Sequence, residues 1–280
     1  MKKIVIAILL MFNVGLTINA YSQNVLENPP RDGVYDKIHS GNRRPVPATN
    51  VREADVVWSS RIWRVIDFKQ KINQTFYYPA EKIRDRVSFM QMLMDALKEG
   101  SITAYDGDEF LKQLTNEEIL AANERTDTIE VDNPDTGVPE QKVVKSTIKL
   151  DQVFQIRVKE DWFFDKQRSI MDVRILGICP VIKLTDNEGN FKGWLGMFWI
   201  YFPDARNVFA KTELYNTHND AERRTFDDIF WKRAFASYIY KQSNVYDRKI
   251  DSYKTGLDAL LEADKIKEDI FAVEHDLWEL

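Results

Sequence analysis

Residues 170–202 read Ile-Met-Asp-Val-Arg-Ile-Leu-Gly-Ile-Cys-Pro-Val-Ile-Lys-Leu-Thr-Asp-Asn-Glu-Gly-Asn-Phe-Lys-Gly-Trp-Leu-Gly-Met-Phe-Trp-Ile-Tyr-Phe. β-Branched and aromatic residues fill both ends, and Asp186–Asn190 supplies a hairpin loop between them. This predicts two long strands, 170–184 and 191–202. The run Trp194–Phe202 is apolar at odd and even positions alike, which is the pattern of a central strand covered on both sides.

Upstream, Phe154, Ile156 and Val158 alternate with polar residues, and so do Val144, Ser146, Ile148 and Leu150. Thr128–Asp132 leads into Asn133-Pro-Asp-Thr-Gly137, a strong turn signal. Nearer the N-terminus, Val57, Trp58, Ile62, Val65 and Ile66 recur at spacings compatible with a helix. Asp67–Tyr78 is irregular, and Pro79 suits the first turn of a following helix. Val87, Met90, Leu93, Met94 and Leu97 form an amphipathic stripe that stops at Gly100. Ser101–Tyr105 reads as a short strand and Asn116–Asn123 as a short helix.

Downstream of 205 the expectation is helix throughout. Thr225 with Asp228 three residues on is a capping arrangement. Phe226, Ile229, Phe230, Ala234 and Tyr238 then share one helical face. From Thr255 the residues Ala259, Ala263, Ile266, Ile270, Val273 and Leu277 recur at spacings of four and three. Such a seam packs either on its own domain or on a second helix. The fold class expected is α+β: one domain at 53–250 with a central, mostly antiparallel sheet flanked by helices. An extended arm at 23–52 precedes it and a helical tail at 251–280 follows.

The arm holds Pro29, Pro30, Gly33, Gly41, Pro45 and Pro47, which forbid regular structure, and Val34, Tyr35 and Ile38, which have apolar surface to bury. Residues 1–22 carry Lys2 and Lys3, an apolar run Ile4–Phe12, and small residues Ala20 and Ser22. That is the layout of a secretory signal peptide. The run is too short to cross about 30 Å of hydrocarbon. Without it, 37 basic residues face 44 acidic ones, a net charge of -7. No cysteine stands near the expected cleavage point, so no N-terminal lipid is expected, and no later segment is apolar enough to span a membrane.

Composition excludes several classes. Over the 280 residues, 44% are hydrophobic, too many for a disordered chain, and the net charge of -5 argues against general nucleic-acid binding. A single cysteine, Cys179, forbids an internal disulfide or a polythiolate zinc site. It sits in an apolar run and reads as a buried thiol, with an intermolecular disulfide as the alternative.

Motifs for catalysis are fragmentary. Gly107-Asp-Glu-Phe110 lacks the preceding glycine that a nucleotide-cyclase turn needs. Asp132, Asp135 and Gly137 fail the spacing of a calcium loop, and His218 with Glu222 lacks a second nearby histidine. Asp227 and Asp228 diverge by about 100° on a helix and cannot face one site. No phosphate loop, nucleophile elbow or dinucleotide fingerprint occurs. No cofactor and no metal are expected.

What the chain has in abundance is aromatic surface: seven tryptophans, eleven tyrosines and sixteen phenylalanines, many beside a cation, as in Trp63-Arg64 and Trp231-Lys232-Arg233. Aromatics and arginine anchor protein interfaces, although the same rings can fill a core edged by snorkelling cations.

Four stretches carry a family resemblance: Ala54–Pro79, Arg174-Ile-Leu-Gly-Ile-Cys-Pro180, Trp199-Ile-Tyr-Phe-Pro-Asp-Ala-Arg206, and Thr225–Arg233 running on to Ser243-Asn-Val-Tyr-Asp-Arg248. Over roughly 25–250 the chain resembles the gliding-motility GldN family and its PorN counterpart in non-gliding secretors. The resemblance implies a non-enzymatic periplasmic subunit of the type IX secretion system, at the inner face of the outer membrane. It implies ring formation with an outer-membrane lipoprotein of the GldK/PorK kind and coupling to motor proteins of the GldL/GldM kind, for protein export and gliding. The arm and the Trp58–Tyr78 segment are the expected partner contacts, through Tyr35, Arg43, Arg44, Trp58, Trp63, Arg64, Asp67 and Tyr78, joined by Arg206 and Lys232. The alternative is an exported ligand-binding protein or hydrolase with a pocket in the sheet.

Overall fold

The computed structural model describes residues 42–83, 86–122, 124–132, 139–147, 152–185, 190–216, 219 and 221–278. The signal-peptide reading, Tyr35, the 133–137 turn and His218 lie outside the described residues, as does most of the 186–190 loop.

Strand β1, Val56–Asp67, opens the domain. This corrects the helical expectation for Val57–Ile66. Helix-compatible spacing over so few turns is a weak signal, whereas this segment is dense in valine, isoleucine and tryptophan, which suit a pleated surface. Strands pair with it on both sides, and Ile62 to Ile66 are all buried. A one-turn helix, α1 (Gln74–Tyr77), follows, and Pro79 precedes no helix: the next, α2 (Phe89–Lys98), begins ten residues later. Ser88 caps α2 by accepting from the Gln91 amide at 3.3 Å. Gly100, at φ 71°, ends it, and the Ser101 amide donates back to the Ala96 carbonyl.

Short strands β2 (Ala104–Tyr105) and β3 (Gln113–Leu114) lead to helix α3 (Asn116–Ala122). Among the described residues, strands β4 (Glu124–Asp132) and β5 (Pro139–Thr147) pair only with each other. Strands β6 (Val153–Asp165) and β7 (Ile170–Thr185) form the longest hairpin of the main sheet. The expected strand 191–202 is two strands, β8 (Phe191–Gly196) and β9 (Trp199–Tyr201), and Phe202 already belongs to a helix. The break lies opposite Pro180 of the neighbouring strand. Pro180 on β7 has no amide to offer the ladder here; only its carbonyl bonds across, accepting from the Met197 amide at 2.9 Å. At the break, a side chain on Gly196 would meet the Cys179 sulfur at 2.9 Å.

The region after 205 is mixed rather than helical. Helix α4 (Phe202–Phe209) is followed by strands β10 (Glu213–Leu214) and β11 (Arg224–Thr225), helix α5 (Phe226–Trp231) and strand β12 (Tyr238–Gln242). Thr225 and Asp228 form the expected capping box of α5. The helix stops at Trp231 because Arg233 turns to φ 51°, and Tyr238–Gln242 then adds a strand to the edge of β1. Helix α6, Leu257–Trp278, ends the described chain.

The main sheet has eight strands in the order β12-β1-β6-β7-β9-β2-β3, with β8 also on β7, and every pairing is antiparallel. The fold is α+β. One sheet face, through Ile66, Ile156, Ile178 and Ile200, packs against α1, α2, α4 and α5. Phe76, Phe89, Phe209, Phe226 and Phe230 meet there ring against ring at 5.4–6.0 Å. A second, smaller core joins Ile62, Ile239 and Ile250 to Ala263, Ile266 and Ile270. The seam of α6 therefore packs on its own domain.

Candidate partner interface

Between the two cores, on the same face of the sheet, lies a buried charge. The Glu160 side chain is fully enclosed, with Arg233 at 2.9 Å and Arg64 at 3.3 Å. Hydrogen bonds reach its Oε2 from the Arg233 guanidinium at 3.1 Å and the Trp162 indole at 3.0 Å. The Arg64 Nε lies in ion-pair range without hydrogen-bond alignment, and its Nη1 donates instead to the Ser237 hydroxyl. Burial pushes the Arg64 guanidinium below its ordinary value; Glu160 opposes that shift and Arg233 adds to it. Both guanidinium groups also lie over the Trp162 ring, at 5.6 and 5.3 Å.

The opposite face is closed by the 106–112 loop. Trp63 donates its indole N–H to Asp108 at 2.9 Å. Lys159, almost fully buried, donates to the Asp108 carbonyl and pairs with its carboxylate at 3.4 Å. Phe110 inserts between Tyr105 and Tyr201. Gly177 makes room for it: a Cβ there would meet the Phe110 ring at 2.5 Å. The Gly107–Phe110 fragment is thus a lid on the sheet. On the same face, burial drives the Cys179 thiol up to about 12, opposed by Arg157. The buried thiol is the reading that holds for the described chain.

At α4 and α5, Arg206 clasps Asp227 through two bonds of 2.7 and 3.0 Å and lies 4.8 Å from the Trp231 ring. Neighbouring Asp228 caps α5 and accepts from Arg43 at 3.1 Å. Arg174 donates to Thr49, so two side-chain ties hold residues 43–49 to the domain.

The candidate residues separate accordingly. Trp63, Arg64 and Arg206 are buried and engaged by internal partners. Trp58 is half-buried against the smaller core, and Asp67 is half-buried, accepting from the Lys69 amide and from Gln155. Arg43 is half-exposed in its pair with Asp228. Arg44, Tyr78 and Lys232 are exposed. Trp63 and Arg64, adjacent in sequence, point to opposite faces of β1. Exposed apolar surface outside these candidates includes Val57, Val245, Tyr246 and the outer side of α6. The α6 residues had a signal: a second set of apolar positions at helical spacing beside the first.

Among the described residues, no helix is long and apolar enough to cross a membrane, and no group of three or more His, Cys, Asp or Glu side chains is placed to hold a metal. A cavity of about 460 Å³ lies between the 242–253 segment and α6, beside the sheet rather than within it. The family model of gliding motility associated protein GldN matches residues 51–279. The chain belongs to that family and is a component of the gliding-motility and type IX secretion machinery. No curated protein sequence matches it.

Proposed function

We propose that this GldN-family chain is a non-enzymatic structural subunit, exported by its N-terminal signal segment and working by association. It forms a periplasmic ring with an outer-membrane lipoprotein of the GldK/PorK kind and couples that ring to motor proteins of the GldL/GldM kind. The observation that carries the reading is the family match over 51–279. The internal engagement of these charges supports it: buried Glu160 and Asp227, and half-buried Asp108, each have a cation partner inside the fold. The partner surface falls to the arm and to Arg44, Trp58, Tyr78 and Lys232, of which Arg44, Tyr78 and Lys232 are exposed.

The test is binding of the purified chain to its immobilised lipoprotein partner. Tyr78→Ala, or Arg44→Glu with Lys232→Glu, lowers affinity about tenfold while circular dichroism stays unchanged. Full affinity in all of these variants overturns the assigned surface. No affinity in the parent chain overturns the subunit reading itself.

A further inference from the structure

Helix α6 carries two seams. The inner one, Ala259, Ala263, Ile266 and Ile270, packs on the smaller core. The outer one is Leu257, Leu260, Asp264, Lys267 and Phe271, again at spacings of three and four, and all five residues are exposed. Leu257 and Phe271 are each 70% exposed and Leu260 51%. A helix apolar on two sides needs a second partner. The outer seam also has two charges at its centre. Neither Asp264 nor Lys267 has an ion-pair partner among the described residues.

We propose that the outer seam binds the same seam of a second copy, antiparallel, about a two-fold axis between Lys265 and Ile266. In that register Leu260 of each copy meets Phe271 of the other, and Asp264 of each meets Lys267 of the other. The self-complementarity is in the spacing: both pairs are centred on the same point. A parallel alignment sets Asp264 against Asp264 and Lys267 against Lys267, which repel. A wholly apolar partner buries both charges with no counterion but each other, at a large desolvation cost. An antiparallel copy answers both charges together with Leu260 and Phe271, leaving Leu257 beyond the paired span, and a two-fold contact of this kind closes on itself. The paired span from Leu260 to Phe271 is about 17 Å long at helical rise. That places the contact at the small end of stable interfaces, so the dimer dissociates on dilution.

The pairing stands on the geometry of α6 and does not rest on the secretion reading. Sedimentation velocity of the purified chain over a dilution series tests it. The parent chain shows a monomer–dimer equilibrium. Leu260→Glu with Phe271→Glu gives monomer at every concentration. Asp264→Lys alone, or Lys267→Asp alone, sets like charges across the axis twice and raises the dimer dissociation constant about tenfold. The double swap Asp264→Lys with Lys267→Asp restores the parent value. All four positions are exposed, so the variants keep their circular dichroism. A monomer throughout, a dimer indifferent to the swaps, or an oligomer larger than two overturns the proposal. Binding to the lipoprotein is measured separately, so loss of either result leaves the other standing.

Discussion

The Glu160 cluster and the outer seam of α6 both mix charge with apolar surface, and they have opposite outcomes. Around Glu160 two guanidinium groups and an indole converge on one enclosed carboxylate. Along α6 a carboxylate and an ammonium stand three residues apart in water, flanked by exposed leucines and a phenylalanine. In the first arrangement the carboxylate is ion-paired within the chain, although Arg64 Nε, Arg233 Nη1 and Glu160 Oε1 make no hydrogen bond there. The second is complete only with another chain. Adjacency of aromatic and cationic residues does not separate the two cases; internal partners do.

Four substitutions or conditions sharpen this contrast. The largest effect falls inside. Glu160→Ala leaves Arg64 and Arg233 without their counterion and costs about 3–5 kcal/mol in urea unfolding. A loss below about 1 kcal/mol breaks the claim that the cluster is closed. Next, Gly177→Ala drives a methyl into the Phe110 and Trp199 rings, since its Cβ meets them at 2.5 and 3.2 Å. Overpacking of this kind costs about 1–3 kcal/mol, and faster proteolysis within 106–112 marks the lifted lid.

Alkaline pH gives the third effect. A free thiol ionises near about pH 8.5, whereas burial raises Cys179 to about 12. Between those values the folded chain holds a proton that the unfolded chain has released. Stability is therefore full below about pH 8.5 and falls as pH rises toward 12. Burial raises the Tyr240 hydroxyl as well, in the same sense. Cys179→Ala flattens the first part of the decline in unfolding curves at pH 8 and 10. In the parent chain the thiol stays unreactive toward a thiol reagent at pH 8 until urea is added. The smallest effect belongs to the surface. Arg61 and Asp161 form a two-point pair at 2.6 and 2.9 Å but are 44% and 31% exposed. Asp161→Asn costs less than about 1 kcal/mol in the same unfolding assay.

The sheet was legible where alternation was long. The alternation at Phe154, Ile156 and Val158 falls inside strand 153–165, and the expected strand 170–184 is the strand 170–185. The α2 stripe and the Thr225–Asp228 cap were equally readable, because each is decided within one or two turns. Misreadings arose where pairing partners came from far away. Val56–Asp67 is a strand because β6 and β12, about a hundred and nearly two hundred residues later, pair with its two edges. Tyr238–Gln242 is a strand because β1 offers it an edge.

The same distance limits what could be read of the interface. Trp63 and Arg206 have the composition of interface anchors, yet Asp108 and Asp227 claim them. Only folded geometry shows which cations are already engaged. The gap at Met197 likewise lies opposite Pro180 in the neighbouring strand, which no reading of 191–202 alone reveals.

The central claim is that this chain works by assembly. Co-expression with the proposed lipoprotein partner, followed by light scattering of the purified product, tests it most directly. The account predicts a stable complex many times heavier than the 32.8 kDa chain. Two separate species, each at the mass of its own monomer or dimer, would contradict it.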